Sequence, residues 1–191
     1  MLARAWRLLR SPGTEWAAIA AERPRPRTVL LAYVVPMSAV PAIAWAVGLA
    51  LFPGDLAVRG ETTVELASAA QLVRAALVTF GGSVLSVLAL AAVFFAAAPM
   101  YETPRDWPAA FSVAAHGTTP VWLAGVLLVK PSLVAAAVLA MVHAGYLYFA
   151  GLQEVAGVKR GDAAEFVALA VFLATIALVA AGALLSIADV I

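Results

Sequence analysis

The chain has no cysteine, which excludes disulfides, thiolate metal sites and cysteine nucleophiles together and leaves its redox compartment open. Charge is scarce as well. Only 12% of the 191 residues are charged while 64% are hydrophobic, whereas a soluble domain has about a quarter charged and about half apolar. A soluble fold of this size has too much surface for its volume to hide that much apolar area. The mean hydropathy of +0.99 fits a chain whose solvent is mostly hydrocarbon. A net charge of +1 gives no attraction for nucleic acid, and no nucleic-acid partner is expected. No apolar stretch alternates with period two, which excludes strands there, since an open sheet edge cannot be satisfied in lipid.

Five long apolar runs stand out once charges and prolines are used as punctuation: 28–52, 75–98, 109–129, 132–153 and 166–188. Each holds 21 to 25 residues, enough to cross a ~30 Å hydrocarbon core at ~1.5 Å per residue. The first run follows 27 other residues and far exceeds a signal-peptide core, so it is expected to stay in the mature protein. Only Lys130 and Pro131 separate the third and fourth runs, which predicts an antiparallel hairpin with Pro131 in the first turn of its second helix. The fold class expected is all-α: a polytopic membrane bundle of five transmembrane helices over 28–191, preceded by a basic, amphipathic segment over 1–27.

Lys and Arg set the orientation. Arg4, Arg7, Arg10, Arg23, Arg25, Arg27, Arg105, Lys159 and Arg160 fall on one side; Arg59, Arg74 and Lys130 fall on the other. Nine against three predicts a cytoplasmic N-terminus and, after five spans, an outside C-terminus. Ten arginines against two lysines, with heavy Ala and Val use, point to a GC-rich coding sequence. The membrane expected is therefore a bacterial inner membrane.

The N-terminal segment reads as interfacial helix rather than as a disordered basic tail that only sets topology. On a helical wheel Leu2, Ala5, Trp6 and Leu9 share one face, and Arg4, Arg7 and Arg10 the other. That pattern predicts apolar residues among acyl chains and guanidiniums among anionic lipid headgroups. Ser11-Pro12-Gly13 is expected to break the chain. Thr14 is the N-cap expected for a second helix, with Glu15 in its first turn, Trp16 at the interface and Ile19 beyond. Arg23 to Arg27, alternating with proline, predicts an extended linker.

Candidate chemistry is sparse. No Asp or Glu lies inside a predicted span, so carboxylate-pair mechanisms have no members at membrane depth. Gly81-Gly82-Ser83 has the wrong glycine spacing for a serine nucleophile turn and reads as small residues allowing close helix approach. Gly82/Ser86, Ala136/Ala140/Ala144 and Gly182/Ser186 repeat that spacing. Pro36, Pro41 and Pro120 remove the helical partners of the Ala32, Met37 and His116 carbonyls, which Ser38, Thr118 and Thr119 could satisfy with hydroxyls. His116 and His143 are the ionisable groups deep in the spans. They read either as functional or as neutral imidazoles satisfied by a neighbour. Lying 14 residues before and 13 after Lys130-Pro131, they are expected within one turn of each other in depth. No catalytic residue, metal ligand or cofactor is called.

The stretch Phe111 to Val158 resembles the Yip (Ypt/Rab-interacting-protein) family of five-span membrane proteins, in its bacterial form. The elements that carry the likeness are Thr119-Pro120, Pro131, Tyr146-Leu147-Tyr148 and Gly151-Leu152, together with Pro12 to Glu22 near the N-terminus. The resemblance implies a cytosolic N-terminus and no known enzymology. It does not bring Rab binding with it, because the eukaryotic Asp-Leu-Tyr-Gly-Pro motif is missing. Tyr101-Glu102-Thr103-Pro104 also stands where bacterial relatives have a glycine-rich stretch.

The function expected is non-enzymatic organisation of membrane lipids or of protein partners, other membrane proteins or a homo-oligomer among them. The alternatives are a small oligomeric transporter, channel or lipid-handling protein, or a redox or metal enzyme built on the histidines. Topology is directly testable in a chain without thiols. A single cysteine at Gly60 or Ile191 is expected to react with an impermeant reagent outside intact cells, and one at Gly13 or Gly161 to stay unlabelled. The reverse pattern would falsify the orientation.

Overall fold

A computed structural model describes residues 1–52 and 67–187, and among these the chain forms seven helical segments and no strand. They are α1 (Leu2–Arg10), α2 (Pro12–Glu22), α3 (Pro26–Leu51), α4 (Ala69–Tyr101), α5 (Trp107–Val129), α6 (Val134–Glu154) and α7 (Arg160–Ile187). Four of them, α3, α4, α5 and α7, are long and apolar enough to cross a membrane. The 21-residue α6 occupies the fourth predicted run. Arg59, the Ser186 side chain, the Ala136 side chain and Ile191 lie outside what is described.

The helix starts follow from capping, and several correct the sequence reading. Ser11 alone interrupts the chain; Pro12 is the first residue of α2 because its missing N–H and fixed φ suit that position. Thr14 therefore sits inside the helix, its hydroxyl bonded to the Ser11 carbonyl at 2.9 Å. Pro26 opens α3 for the same reason, so the linker shrinks to Arg23–Arg25, and Arg23 in it is left-handed, not extended. Ser68 and Gln71 form a capping box that starts α4 six residues before its predicted span. At 33 residues α4 is ~50 Å long, more than the hydrocarbon core requires. A π-helical turn at Leu30–Val34, where the Val35 amide reaches back to the Leu30 carbonyl, widens α3 just before the Pro36 ring.

α5 is the central helix. In its most apolar window 61% is buried in the protein, against 39% for α3, 22% for α4 and 17% for α7. It touches α3, α4 and α6, while α4 also packs on α7. Aromatic rings bind one half of the bundle. Phe94 of α4 meets Tyr148 of α6 and Phe166 of α7 edge-on, and Tyr101 stacks on Phe166 at 4.4 Å. α1 and α2 belong to the same core through Ala5, Leu8, Trp16 and Ile19, all buried, so residues 1–27 are not a detached unit.

Close helix approach occurs at glycines other than those expected. A Cβ at Gly82 or Gly81 would meet nothing within 4 Å, so these residues do not mediate a contact. A Cβ at Gly48 of α3 would collide with the backbone carbonyls of Leu128 and Val129; one at Gly125 would lie 2.6 Å from Pro41. The α3–α5 seam thus depends on missing side chains, and the colliding atoms at Gly48 are backbone that cannot swing away. Gly48→Ala is expected to destabilise the bundle by about 1–3 kcal/mol, the cost of overpacking. Gly82→Ala should be neutral or stabilising by up to about 1 kcal/mol. Thermal unfolding of both variants in one detergent checks the contrast.

Candidate functional site

Pro120 removes an amide from the middle of α5, and the response to that gap organises the polar interior. The Thr119 hydroxyl donates to the freed His116 carbonyl at 2.5 Å. Having used its proton, it accepts from the Tyr33 hydroxyl at 2.6 Å. Thr118 repeats the arrangement: it donates to the Ala114 carbonyl at 2.7 Å and accepts from Tyr148 at 2.8 Å. One turn on, the Trp122 indole donates to Ser83 at 2.6 Å, and Ser83 donates to Ser38 at 3.1 Å. These bonds join α5 to α3, α6 and α4 in turn. Thr119 thus bonds the carbonyl that Pro120 frees, whereas Thr118 bonds the Ala114 carbonyl, which no proline frees.

His116 lies in the same layer, 1% exposed. Its Nδ1 is 2.9 Å from the Ser112 carbonyl. A carbonyl only accepts, so Nδ1 carries the proton and Nε2 presents a lone pair. No group among the described residues bonds to Nε2. Tyr33 covers the ring at 4.6 Å between centroids, and the Trp16 ring meets it edge-on at 6.2 Å. A cleft of about 280 Å³ between α1 and α3 ends on this histidine, lined by Arg4, Arg7, Thr28 and Tyr33.

The two histidines do not share a layer. Thr118 faces Tyr148, and a Cβ at Gly117 would strike the Tyr148 ring. That register puts His116 level with a point roughly seven residues, or ~10 Å, from His143. The cause is the connection: Pro131–Leu133 is a 3₁₀ turn, not the start of α6, and Gly125–Val129 is 3₁₀ with a steeper rise per residue. His143 is half-buried beside Tyr146, its Nε2 without a partner among the described residues. Among the described residues no group of three or more His, Asp and Glu is placed to hold a metal.

The expected interface residues divide. Leu2 and Trp6 are exposed, at 62% and 61%, on the flank of α1 turned away from the bundle. Arg10 is exposed. Trp16 is not an interface residue. It is fully enclosed, its ring packed where Gly151 has no side chain and its indole N–H without a partner among the described residues. Arg4 and Arg7 face protein carboxylates: Arg4 donates to Glu15 at 2.9 Å and to both oxygens of Glu22 at 2.6 and 2.7 Å, and Arg7 donates twice to Glu15. Sequence reasoning missed this clasp, although Glu15 and Glu22 stand seven residues apart and so share a face of α2. Arg23 pairs with Asp106 and Lys159 with Glu102, tying the loops beneath the bundle.

The sequence matches the family model of the Yip1 domain across residues 6–182. No curated protein and no solved structure matches it.

The hydrogen bonds from Arg7 hold the Glu15 carboxyl below its ordinary range; burial opposes them and Arg4 reinforces them. A lowered folded-state pKa stabilises the docked α1 above the ordinary value of 4.5, and that contribution is lost as pH falls through the folded value. Amide-exchange protection of α1 is expected to hold from pH 7 to 5 and to fall at more acid pH. Glu15→Gln should lower it already at pH 7, by about 1–2 kcal/mol. A flat profile in both chains would show that α1 is held by Ala5 and Leu8 alone.

Proposed function

This chain belongs to the Yip1 domain family, and on that premise we propose that it organises lipids or protein partners in the membrane without catalysing a reaction. It is a helical integral membrane protein. In the proposed arrangement α6 is the fifth span, the membrane is a bacterial inner membrane, and α1 and α2 lie on its cytoplasmic surface. Partners would be anionic lipids, other membrane proteins or further copies of the chain.

The observation that carries this reading is the use made of the polar groups inside the spans. Their hydroxyls hold one helix to another or to its own backbone rather than converging on an open site. A cavity of about 220 Å³ between α4, α5, α6 and α7 illustrates the point. Its hydroxyl-bearing residues are Ser86, Thr118, Tyr148 and Thr175. Ser86 donates to the Ser83 carbonyl, Thr175 to the Val171 carbonyl, and Thr118 and Tyr148 bond each other. An anion there would find each of these hydroxyl protons already committed, Thr118's to the Ala114 carbonyl. Outside the spans, by contrast, α1 presents Leu2 and Trp6 to its surroundings, and Arg10 at its end is exposed with no carboxylate partner among the described residues. That combination supports a surface role at the membrane edge.

The test is reconstitution of the full chain in sealed vesicles, with flux of protons, monovalent ions and small solutes followed by dye. The expected result is flux indistinguishable from empty vesicles, together with reproducible cross-links to itself or to other membrane proteins in native membranes. Protein-dependent flux that saturates with solute would replace this reading with the transporter.

A further inference from the structure

We propose that the cleft between α1 and α3 is a binding site for a phospholipid headgroup that combines a phosphodiester with a hydroxyl. This deepens the membrane-organising reading above and rests on it for the cytoplasmic placement of α1.

Two independent features meet there. The first is charge. Of the six arginines in the N-terminal segment, Arg4, Arg7 and Arg23 have carboxylate partners in Glu15, Glu22 and Asp106. Arg10, Arg25 and Arg27 are exposed and have none among the described residues. Arg25 and Arg27 stand next in the chain to Pro24 and Thr28, which line the cleft. The clasp balances its own charges, two arginines against two glutamates, so the unpaired arginines next in the chain to the lining residues give this segment its positive sign. A monoanionic phosphodiester complements them, and Arg7, whose side chain is 54% exposed, has N–H groups left over after bonding Glu15.

The second feature is the floor. His116 lines the cleft, almost wholly buried, with Nε2 as an unbonded acceptor. A phosphate oxygen cannot bond to a lone pair, so a bare anion leaves this group unsatisfied. A hydroxyl on the same headgroup donates to it. The cleft thus asks for anionic oxygen at its mouth and an O–H donor at its base. About 280 Å³ accommodates a small polar headgroup. Leu2 and Leu31, next in the chain to lining residues Ala3 and Ala32, are apolar and exposed, which suits a ligand that also carries acyl chains.

Native mass spectrometry of the full chain in mild detergent, titrated with single lipids, tests this. Phosphatidylglycerol is the probe. Phosphatidylmethanol is the same monoanionic diester without hydroxyls, and phosphatidylcholine is zwitterionic with no donor. Phosphatidylglycerol is expected to bind about fivefold tighter than phosphatidylmethanol, the value of one net hydrogen bond, and roughly tenfold tighter than phosphatidylcholine. Free glycerol phosphate at equal concentration should not displace it. His116→Asn keeps an amide N–H near the place of Nδ1 and puts no atom at the place of Nε2, its own oxygen falling near the Cδ2 position; it should abolish the difference between the two anionic lipids. Arg25→Gln with Arg27→Gln should weaken both anionic lipids alike and leave that difference intact. If the histidine variant does not fold, the lipid series on the unaltered chain decides. Equal binding of phosphatidylglycerol and phosphatidylmethanol, or of phosphatidylcholine, overturns the proposal, and displacement by free glycerol phosphate overturns the lipid as the source of the headgroup. Either failure leaves the membrane-organising reading standing, since that reading falls only to saturable flux.

Discussion

In hydrocarbon no water stands by to satisfy a backbone carbonyl, so every interruption of a helix must be repaired by the protein itself. α5 shows how much structure one interruption can generate. Pro120 frees the His116 carbonyl, Thr119 answers it, and the spare acceptor capacity of Thr119 then recruits Tyr33 from α3. Thr118 recruits Tyr148 from α6 in the same manner. The direction of each bond is forced, because a hydroxyl has one proton and the carbonyl claims it. Helix contacts that could otherwise slide among equivalent apolar surfaces are fixed by these donors. In a bundle without a hydrophobic drive between helices, such bonds and close packing supply the specificity.

The N-terminal helices obey a different balance. α2 is fastened by shape, with Trp16 filling the space left at Gly151, and α1 by Ala5 and Leu8 below and the Arg4–Glu15–Arg7 clasp at its side. An enclosed carboxylate between two guanidiniums is favourable only as a set; removing one member exposes the others to desolvation without compensation. α1 is therefore joined to the bundle by few contacts, several of which depend on charge. Its opposite flank, carrying Leu2 and Trp6, faces away from the protein.

Much of this was legible in the sequence. Run length alone located the four helices that are long and apolar enough to cross a membrane, and the match to the Yip1 domain agrees with the likeness seen around Thr119-Pro120 and Gly151-Leu152. The proline-and-hydroxyl logic at Pro120 also followed from local chemistry, because the partner sits one residue away. What failed depended on relations between elements. Helical phase placed Trp16 near lipid, yet whether a tryptophan meets lipid or a glycine on another helix is a tertiary fact. Counting residues from Lys130 to each histidine assumed uniform rise, and 3₁₀ turns on one arm shifted the register. Gly82 was singled out for spacing, whereas Gly48 and Gly125 matter because another backbone happens to cross there. The arginine face was read for lipid because the acidic residues opposite belong to the next helix.

The uneven burial of the spans has a consequence for how this sequence carries information. With 17% of its most apolar window enclosed, α7 answers mainly to its solvent. At its outward positions, such as Phe172, Ile176 and Val179, any residue of similar hydropathy serves, and drift among them leaves the fold unchanged. α5 answers to its neighbours at most positions, and several of its residues have a chemical role that no isostere fills. Two relatives that had diverged for long would thus agree along the central helix and look unrelated at the rim, like a text whose meaning survives in a few lines. The identity of such a chain is concentrated in the central helix and the residues that bond or pack against it, and the outward positions encode only that it is oil-soluble and long enough.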